Sequence, residues 1–240
     1  MTPSPRREKI TNRLLLALPE ASLKRLRPEL ELLHMAKGEV LDRPDHKIEH
    51  LYFVNRGIVS IVKTMLDGRT VEIGVVGIEG VTDPNTLFGI DRATLETIVQ
   101  IPGSVFRISR DRLRREVERE PRLRTLMQGY ARFALAQLAQ TAACNRLHSL
   151  EARCCRWLLL AHDSARADTF PLTHEYLAMM LGVQRAGISI AASFLRKAGI
   201  IDYVHGEVTV IDRAGLEEAA CECYRAMRAD FDHLVLGRGD

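Results

Sequence analysis

Apolar positions recur along this chain with two periods, and the change from one to the other divides it. From about residue 30 to residue 108 the period is two. Leu51-Tyr52-Phe53-Val54 leads through Asn55-Arg56-Gly57 into the alternating run Ile58-Val59-Ser60-Ile61-Val62-Lys63, and both stretches read as strands. Asp67-Gly68 marks a hairpin turn, with residues 70–76 as the returning strand. Residues 95–101 and 104–108 add strands about a turn at Pro102-Gly103. Short strands at such close spacing imply a barrel, roll or sandwich, not a βαβ sheet. Ahead of them, residues 10–33 place Leu14, Leu18, Leu23, Leu26 and Leu30 at helical positions.

Beyond Ser109, a helix cap with Asp111 in the first turn after it, the period becomes helical. Pro121 breaks a short helix there, and residues 122–146 then run as one long helix, about 35 Å at 1.5 Å per residue. Leu123, Met127, Tyr130, Ala134 and Leu138 trace its apolar ridge. A helix that outreaches a small β domain suits a parallel seam between two subunits, so these five residues are the expected dimer contacts; packing within the chain is the alternative. Residues 150–162, around the lone Trp157, are helical again, and residues 145–149 form the expected hinge. A closing helix is expected after a cap at Asp212, with Leu216, Ala219, Ala220, Cys223 and Met227 inward.

The most informative stretch lies between these helices. Thr173 caps a helix that runs to about Leu181, Gly182 supplies a tight turn, and a second helix covers residues 184–198 up to Gly199. Ile188, Ala191, Ala192 and Leu195 form its buried stripe, leaving Arg185, Ala186, Ser189, Ile190, Ser193 and Arg196 outward. Residues 200–204, the turn His205-Gly206 and residues 208–211 then read as a hairpin. A helix-turn-helix closed by a hairpin is a winged helix, and a groove-reading helix puts its base contacts at its N-terminal end. Gln184, Arg185, Ser189, Ile190 and Ser193 are therefore the expected DNA contacts, with Thr173 and His174 directed at phosphates.

Composition sets modest limits. The net charge of +3 over 240 residues provides no large basic tail, although a local basic face is enough for DNA. No apolar run approaches the roughly 20 residues that span a bilayer, and the basic start MTPSPRREKI lacks the apolar core of a secretory signal. A cytoplasmic location with no membrane partner is expected. The five cysteines (Cys144, Cys154, Cys155, Cys221, Cys223) form an odd set without a C-x-x-C knuckle, and read as buried thiols with no metal and no cofactor. No nucleophile–base set, paired carboxylates or phosphate loop points to an enzyme.

The order of these parts resembles the cyclic-AMP receptor and fumarate–nitrate regulator (Crp/Fnr) family of bacterial transcription regulators over nearly the whole chain. Leu51 to Val54 with Gly57 resembles the family's opening roll hairpin, and Asp67-Gly68-Arg69 and Gly77-Ile78-Glu79-Gly80-Val81 its later turns. Leu172-Thr173-His174-Glu175 with Leu181-Gly182-Val183 and Arg185 resembles its DNA-binding signature. The resemblance implies an α+β fold: an N-terminal double-stranded β-helix, a cupin-like roll related to cyclic-nucleotide-binding domains, over residues 1–120. A long dimerisation helix (121–147) and a winged helix-turn-helix (148–240) would follow. It also implies a homodimer on double-stranded DNA, with RNA polymerase as a candidate partner.

Three departures qualify the resemblance. The family's Phe-Gly-Glu turn for a cyclic nucleotide is replaced by Gly80-Val81-Thr82-Asp83-Pro84. Arg92, the lone candidate for an effector phosphate, lacks a small hydroxyl residue beside it, so the effector is unassigned, with a cyclic-nucleotide-responsive regulator as the alternative. Ala186 and Ile190 stand where the family places a base-reading Glu and a second Arg, which implies a changed half-site. Those two residues also sustain a rival reading, a winged helix that docks on protein.

Overall fold

The computed structural model describes residues 8–237; most of the basic N-terminal segment, residues 1–7, lies outside the described residues, as do residues 238–240. In place of one helix over 10–33 there are two short ones, α1 (Arg13–Leu16) and α2 (Glu20–Leu26), then a 3-10 turn Arg27–Glu29 and strand β1 (Glu31–Met35). The prolines account for the difference: Pro19 caps α2 and Pro28 sits in the 3-10 turn. Proline cannot donate the hydrogen bond that would continue a helix.

Strands β2 (Val40–Asp42), β3 (His50–Thr64), β4 (Thr70–Val76) and β5 (Glu96–Ser109) complete an antiparallel sheet of order β1-β5-β3-β4, with β2 also paired to β5. The Asp67-Gly68 hairpin stands where expected, between β3 and β4. Neither Asn55-Arg56-Gly57 nor Pro102-Gly103 is a turn, however. Both lie inside long strands that pair from His50↔Ser109 to Val62↔Glu96, and the register slips between Val54 and Arg56 and again to Ile58. The glycines permit a close crossing, since a Cβ on Gly103 would lie 2.0 Å from the Arg56 carbonyl oxygen. Bulges of this kind bend a strand, and the bent pair curls the sheet into a roll. Met35, Val54, Val59, Val76, Val99 and Val105 fill its interior, while Ile58, Val62, Val75 and Ile101 face outward into a second core.

Helix α3 (Arg110–Arg119) is capped by Ser109, whose hydroxyl accepts the Arg112 N–H. Pro121 opens α4 (Pro121–Leu147), 27 residues and about 40 Å long. The C-terminal part contains α5 (Leu150–Ala165), β6 (Thr169–Pro171), α6 (His174–Leu181), α7 (Arg185–Lys197), β7 (Ile201–Val204) and β8 (Glu207–Val210). The expected closing helix is two, α8 (Arg213–Ala219) and α9 (Cys223–Leu234), with extended backbone at Ala220 between them. That break turns α9 back along α4, where Phe231 meets Phe133 edge-on with ring centroids 5.4 Å apart.

The ridge expected to join two subunits is mostly spent inside the chain. Leu123, Met127 and Tyr130 are buried with Phe53, Phe106, Phe231 and the N-terminal helices. Ala134 is half-buried, and half-buried Leu138 packs over Gly74 of β4. The physical reason is that the curled sheet and α9 offer apolar surface on that side of α4, and burial there needs no second chain. The opposite side is bare: Gln128, Arg132, Leu135, Ala139 and Ala142 follow one another at spacings of four and three residues, and all are exposed.

The C-terminal part is docked on the roll. Trp157 of α5 is buried and donates its indole N–H to Glu72 of β4 at 2.9 Å, while Arg56 Nε donates to the Ala165 carbonyl at 2.9 Å. Burial pushes Glu72 up to about 7, against the opposing pull of hydrogen bonds from Ser60 and Trp157. Among the described residues, no single helix is long and apolar enough to cross a membrane.

Candidate nucleic-acid interface

Helices α6 and α7 meet at 111°, within the range of about 90–120° used by helix-turn-helix units. Local chemistry sets the angle. The Thr173 hydroxyl accepts the Tyr176 N–H and starts α6, and Gly182 stops it in the left-handed region with φ 64°. Gln184 is the first residue of α7 outside the helix, without a side-chain cap bond. Ile188, Ala191, Ala192 and Leu195 are buried against α5 and α6, as their spacing requires. Gly187, an unfavourable residue in a helix, lies against α5, because a Cβ there would come 2.9 Å from Leu150 Cδ2.

The flank of α7 away from this core is open. Gln184, Arg185, Ala186, Ile190, Ser193, Phe194, Arg196 and Lys197 are exposed, and Ser189 is half-exposed. The wing stands beside it, with β7 and β8 joined at His205-Gly206, both in the left-handed region. β6 adds a third strand to the wing that the sequence pattern did not indicate. Gln184, Arg185, Ser189, Ile190 and Ser193 thus share one face.

Thr173 and His174 stand partly exposed at the start of α6, and both also make contacts within the chain. The Thr173 side chain is occupied as the cap of α6. The His174 ring stacks on Tyr203 of the wing at 4.2 Å, and its Nδ1 lies 3.0 Å from Ser189 Oγ. Burial, then the nearby Arg185, lowers the His174 pKa. The ring ties α6, α7 and the wing together.

The charges of this face are partly answered from within. Arg185 Nε sits 2.9 Å from Glu175, and Arg196 Nε 3.0 Å from Asp202. Both pairs are exposed, so each is worth roughly 0–1 kcal/mol and yields readily to a phosphate or a base edge. Phe194 is the residue that sequence reasoning passed over. It is 65% exposed and Ile190 68%, and with Ala186 they make a line at four-residue spacing. That spacing was legible, but it was masked by the stronger buried stripe.

Arg92 is exposed and donates to the Asp45 carbonyl at 2.6 Å. Near the expected nucleotide turn, Asp42 and Asp83 approach each other instead. Burial, then the Asp42 charge, pushes Asp83 up to about 7, and Thr97 donates to Asp42 at 3.1 Å. A cavity of about 260 Å³ lies elsewhere, between the roll, α4, α5 and α9, lined among others by Arg13, Glu79, Gln137, Asp163, Arg228 and Phe231.

The cysteines also part company. Cys154 and Cys155 are buried in the winged-helix core. Cys221 and Cys223, read from the sequence as buried thiols without a metal, are brought by the α8–α9 break to Cys144 and His148 at the end of α4. No local motif marks that cluster, because its two halves are far apart in the chain.

Comparison with known proteins bears on the fold as a whole. Residues 152–219 match the model of a Crp-like helix-turn-helix domain, and residues 32–120 that of a cyclic nucleotide-binding domain. No curated protein matches the chain. Among solved structures, FixK2 of Bradyrhizobium japonicum is similar with a TM-score of 0.65 at 18% identity, over 80% of this chain and 98% of that one. The c-di-GMP-responsive global regulator CLP of Xanthomonas campestris gives 0.63 at 18% identity, over 80% and 99%. A transcriptional regulator of the CRP family from Thermus thermophilus gives 0.61 at 21% identity, over 78% and 96%.

Proposed function

Because this chain belongs to the Crp/Fnr family of transcription regulators, we propose that it acts as a homodimer that reads a near-palindromic DNA site through α7, under control of a signal received outside the winged helix. The observation that carries the reading is the bare flank of α7, with Arg185 exposed at its N-terminal end and the wing beside it. An arginine there reaches guanine O6 and N7 in a bidentate bond. Gln184, Ser189 and Ser193 supply further polar contacts, and Ile190 suits a thymine methyl.

The second subunit is assigned to the bare side of α4. Leu135 is 70% exposed there, between Arg132 and Ala139. Spacings of four and three residues are those of a two-helix seam. Such a pair places two recognition helices about 34 Å apart, one turn of DNA. A cyclic nucleotide is not the favoured signal, because an acid pair near the nucleotide turn repels a phosphate and the exposed Arg92 has no small hydroxyl residue beside it. The cavity between roll, α4 and α9 touches all three parts, and its mixed charges suit a small polar ligand.

Exposed Ile190 and Phe194 favour a second reading, a winged helix that docks on another protein. Selection of bound DNA from a random library separates the two. A two-fold symmetric motif, with affinity that falls steeply as salt rises, is the expected result. Failure to enrich any sequence, together with salt-independent binding to a protein, overturns it.

A further inference from the structure

Four potential ligands converge where the long helix ends. Cys144 lies in the last turn of α4 and His148 is the residue that caps it, so they share one side of the chain one turn apart. Cys221 and Cys223 come from the α8–α9 break. The four ligand atoms all lie within 4.8 Å of one another. Two of the edges are given: Cys144 Sγ to Cys221 Sγ is 3.6 Å, and Cys223 Sγ to His148 Nδ1 is 3.5 Å. A tetrahedral Zn²⁺, with Zn–S about 2.3 Å and Zn–N about 2.0–2.1 Å, sets its ligands about 3.8 Å apart sulfur to sulfur and about 3.6 Å sulfur to nitrogen. On these two edges the protein already holds the ligand atoms at that spacing, and the other edges are no longer than 4.8 Å.

We propose that Cys144, His148, Cys221 and Cys223 form a structural Zn²⁺ site that clips the end of α4 to the far side of the winged-helix part.

The surroundings agree with this assignment. The other ring nitrogen of His148, Nε2, lies 3.0 Å from the Glu222 carboxylate, the outer partner that orients a metal-bound imidazole. Gln140 Nε2 donates to Cys223 Sγ at 3.0 Å, as an amide does to a thiolate. All three cysteines are buried and His148 is half-exposed, which leaves an entry path on the imidazole side. Three thiolates around Zn²⁺ leave one net negative charge. Arg153 and Arg156 of α5 are buried, and neither makes an ion pair among the described residues. Their Nε atoms lack partners, and they place positive charge within reach of Cys144. Binding releases the thiol protons to solvent and forms three sulfur–zinc bonds and one nitrogen–zinc bond. A disulfide between Cys144 and Cys221 would use two of these groups and leave the convergence of Cys223, His148 and Glu222 without a purpose.

The test uses the full chain without a tag, purified under reducing conditions. Elemental analysis should find about one zinc per chain after gel filtration. Co²⁺ titrated anaerobically into reduced, metal-free protein should give thiolate charge-transfer absorption and the strong visible bands of a tetrahedral ion, and added Zn²⁺ should erase both. The double change Cys221→Ser, Cys223→Ser should lower bound zinc roughly tenfold or more, while Cys155→Ser, outside the cluster, keeps it. Glu222→Gln leaves all four ligands in place and should weaken zinc affinity about 10–100-fold. Chelation should lower the unfolding midpoint of the unaltered protein and leave that of the double variant unchanged. Reduced, unaltered protein that neither retains zinc nor develops cobalt–thiolate absorption overturns the site. So does a Cys144–Cys221 disulfide in metal-free protein taken directly from cells. None of these measurements involves DNA, so their failure is distinct from failure of the DNA-reading proposal.

Discussion

Helices α4 and α7 both carry apolar residues at helical spacing, yet only one of them turned the face its pattern announced. In α7 a single apolar stripe, Ile188 to Leu195, goes inward and the opposite flank stays bare. In α4 nearly every side carries apolar residues, so the pattern established that the helix had partners without saying which side met which. The ridge of Leu123, Met127 and Tyr130 went to the roll and α9, and the sparser line through Leu135 was left outside. Hydrophobic periodicity identifies a buried face well when there is one face to bury. Where two faces compete, the surface nearest in the same chain takes the larger one.

The contrast can be broken most forcefully at Met127. In the background of a Leu135→Arg monomer, Met127→Ala should cost about 2–5 kcal/mol of folding stability in urea titrations, because the side chain fills the chain's own core. Leu135→Arg should by itself shift the molecule toward monomer in sedimentation, whereas Met127→Ala should leave the dimer in place. If instead Met127→Ala gave monomer and Leu135→Arg the larger loss within the subunit, the assignment of the two faces would be reversed.

On α7 the sharper probe is Arg185→Ala. Its expected cost is about 1–3 kcal/mol of discrimination at one base pair per half-site, read by competition between site variants. Equal weakening on every sequence would make Arg185 a phosphate contact.

A smaller effect is expected at Asp83. Its folded-state pKa of about 7 lies above the ordinary aspartate value, so the stability tied to its proton is full below about pH 4 and is lost as pH rises through about 7. Asp83→Asn should therefore raise the melting temperature by about 2–4 °C at pH 8, with the gain gone at pH 4. A gain that persists at pH 4 would mean that charge is not the cause.

Smallest of all, Phe194→Ala should change folding stability by no more than about 0.5 kcal/mol, since the ring is exposed in the free subunit. Its effect belongs to whatever α7 binds, and a large loss of stability would place the ring in the core.

Much of the architecture was legible because local signals agreed with one another. Thr173, Gly182 and the stripe of α7 specify the helix pair, and Asp67-Gly68 and His205-Gly206 mark real turns. The failures share a cause. Gly57 and Gly103 look like turn residues in isolation, but they serve a crossing of two strands that are distant in sequence. The closing helix breaks at Ala220 without a proline or glycine to announce it. That unannounced break carries Cys221 and Cys223 to Cys144 and His148, so the most chemically distinctive cluster in the molecule was invisible to spacing rules. On the flank of α7 the residues expected from the sequence lie outward, whereas His174, expected near phosphate, also packs against Tyr203 and Ser189, a contact between distant segments that local pattern does not mark.

The seam between roll and winged helix passes through the chain's single tryptophan, whose indole is sealed against the acid of Glu72. The ring is thereby an optical probe built into the joint between the two parts, where the proposed signal would be felt. Separation would wet that ring and red-shift its emission. An unlabelled sample, watched in a fluorimeter while candidate small molecules are added, should report which of them moves the joint.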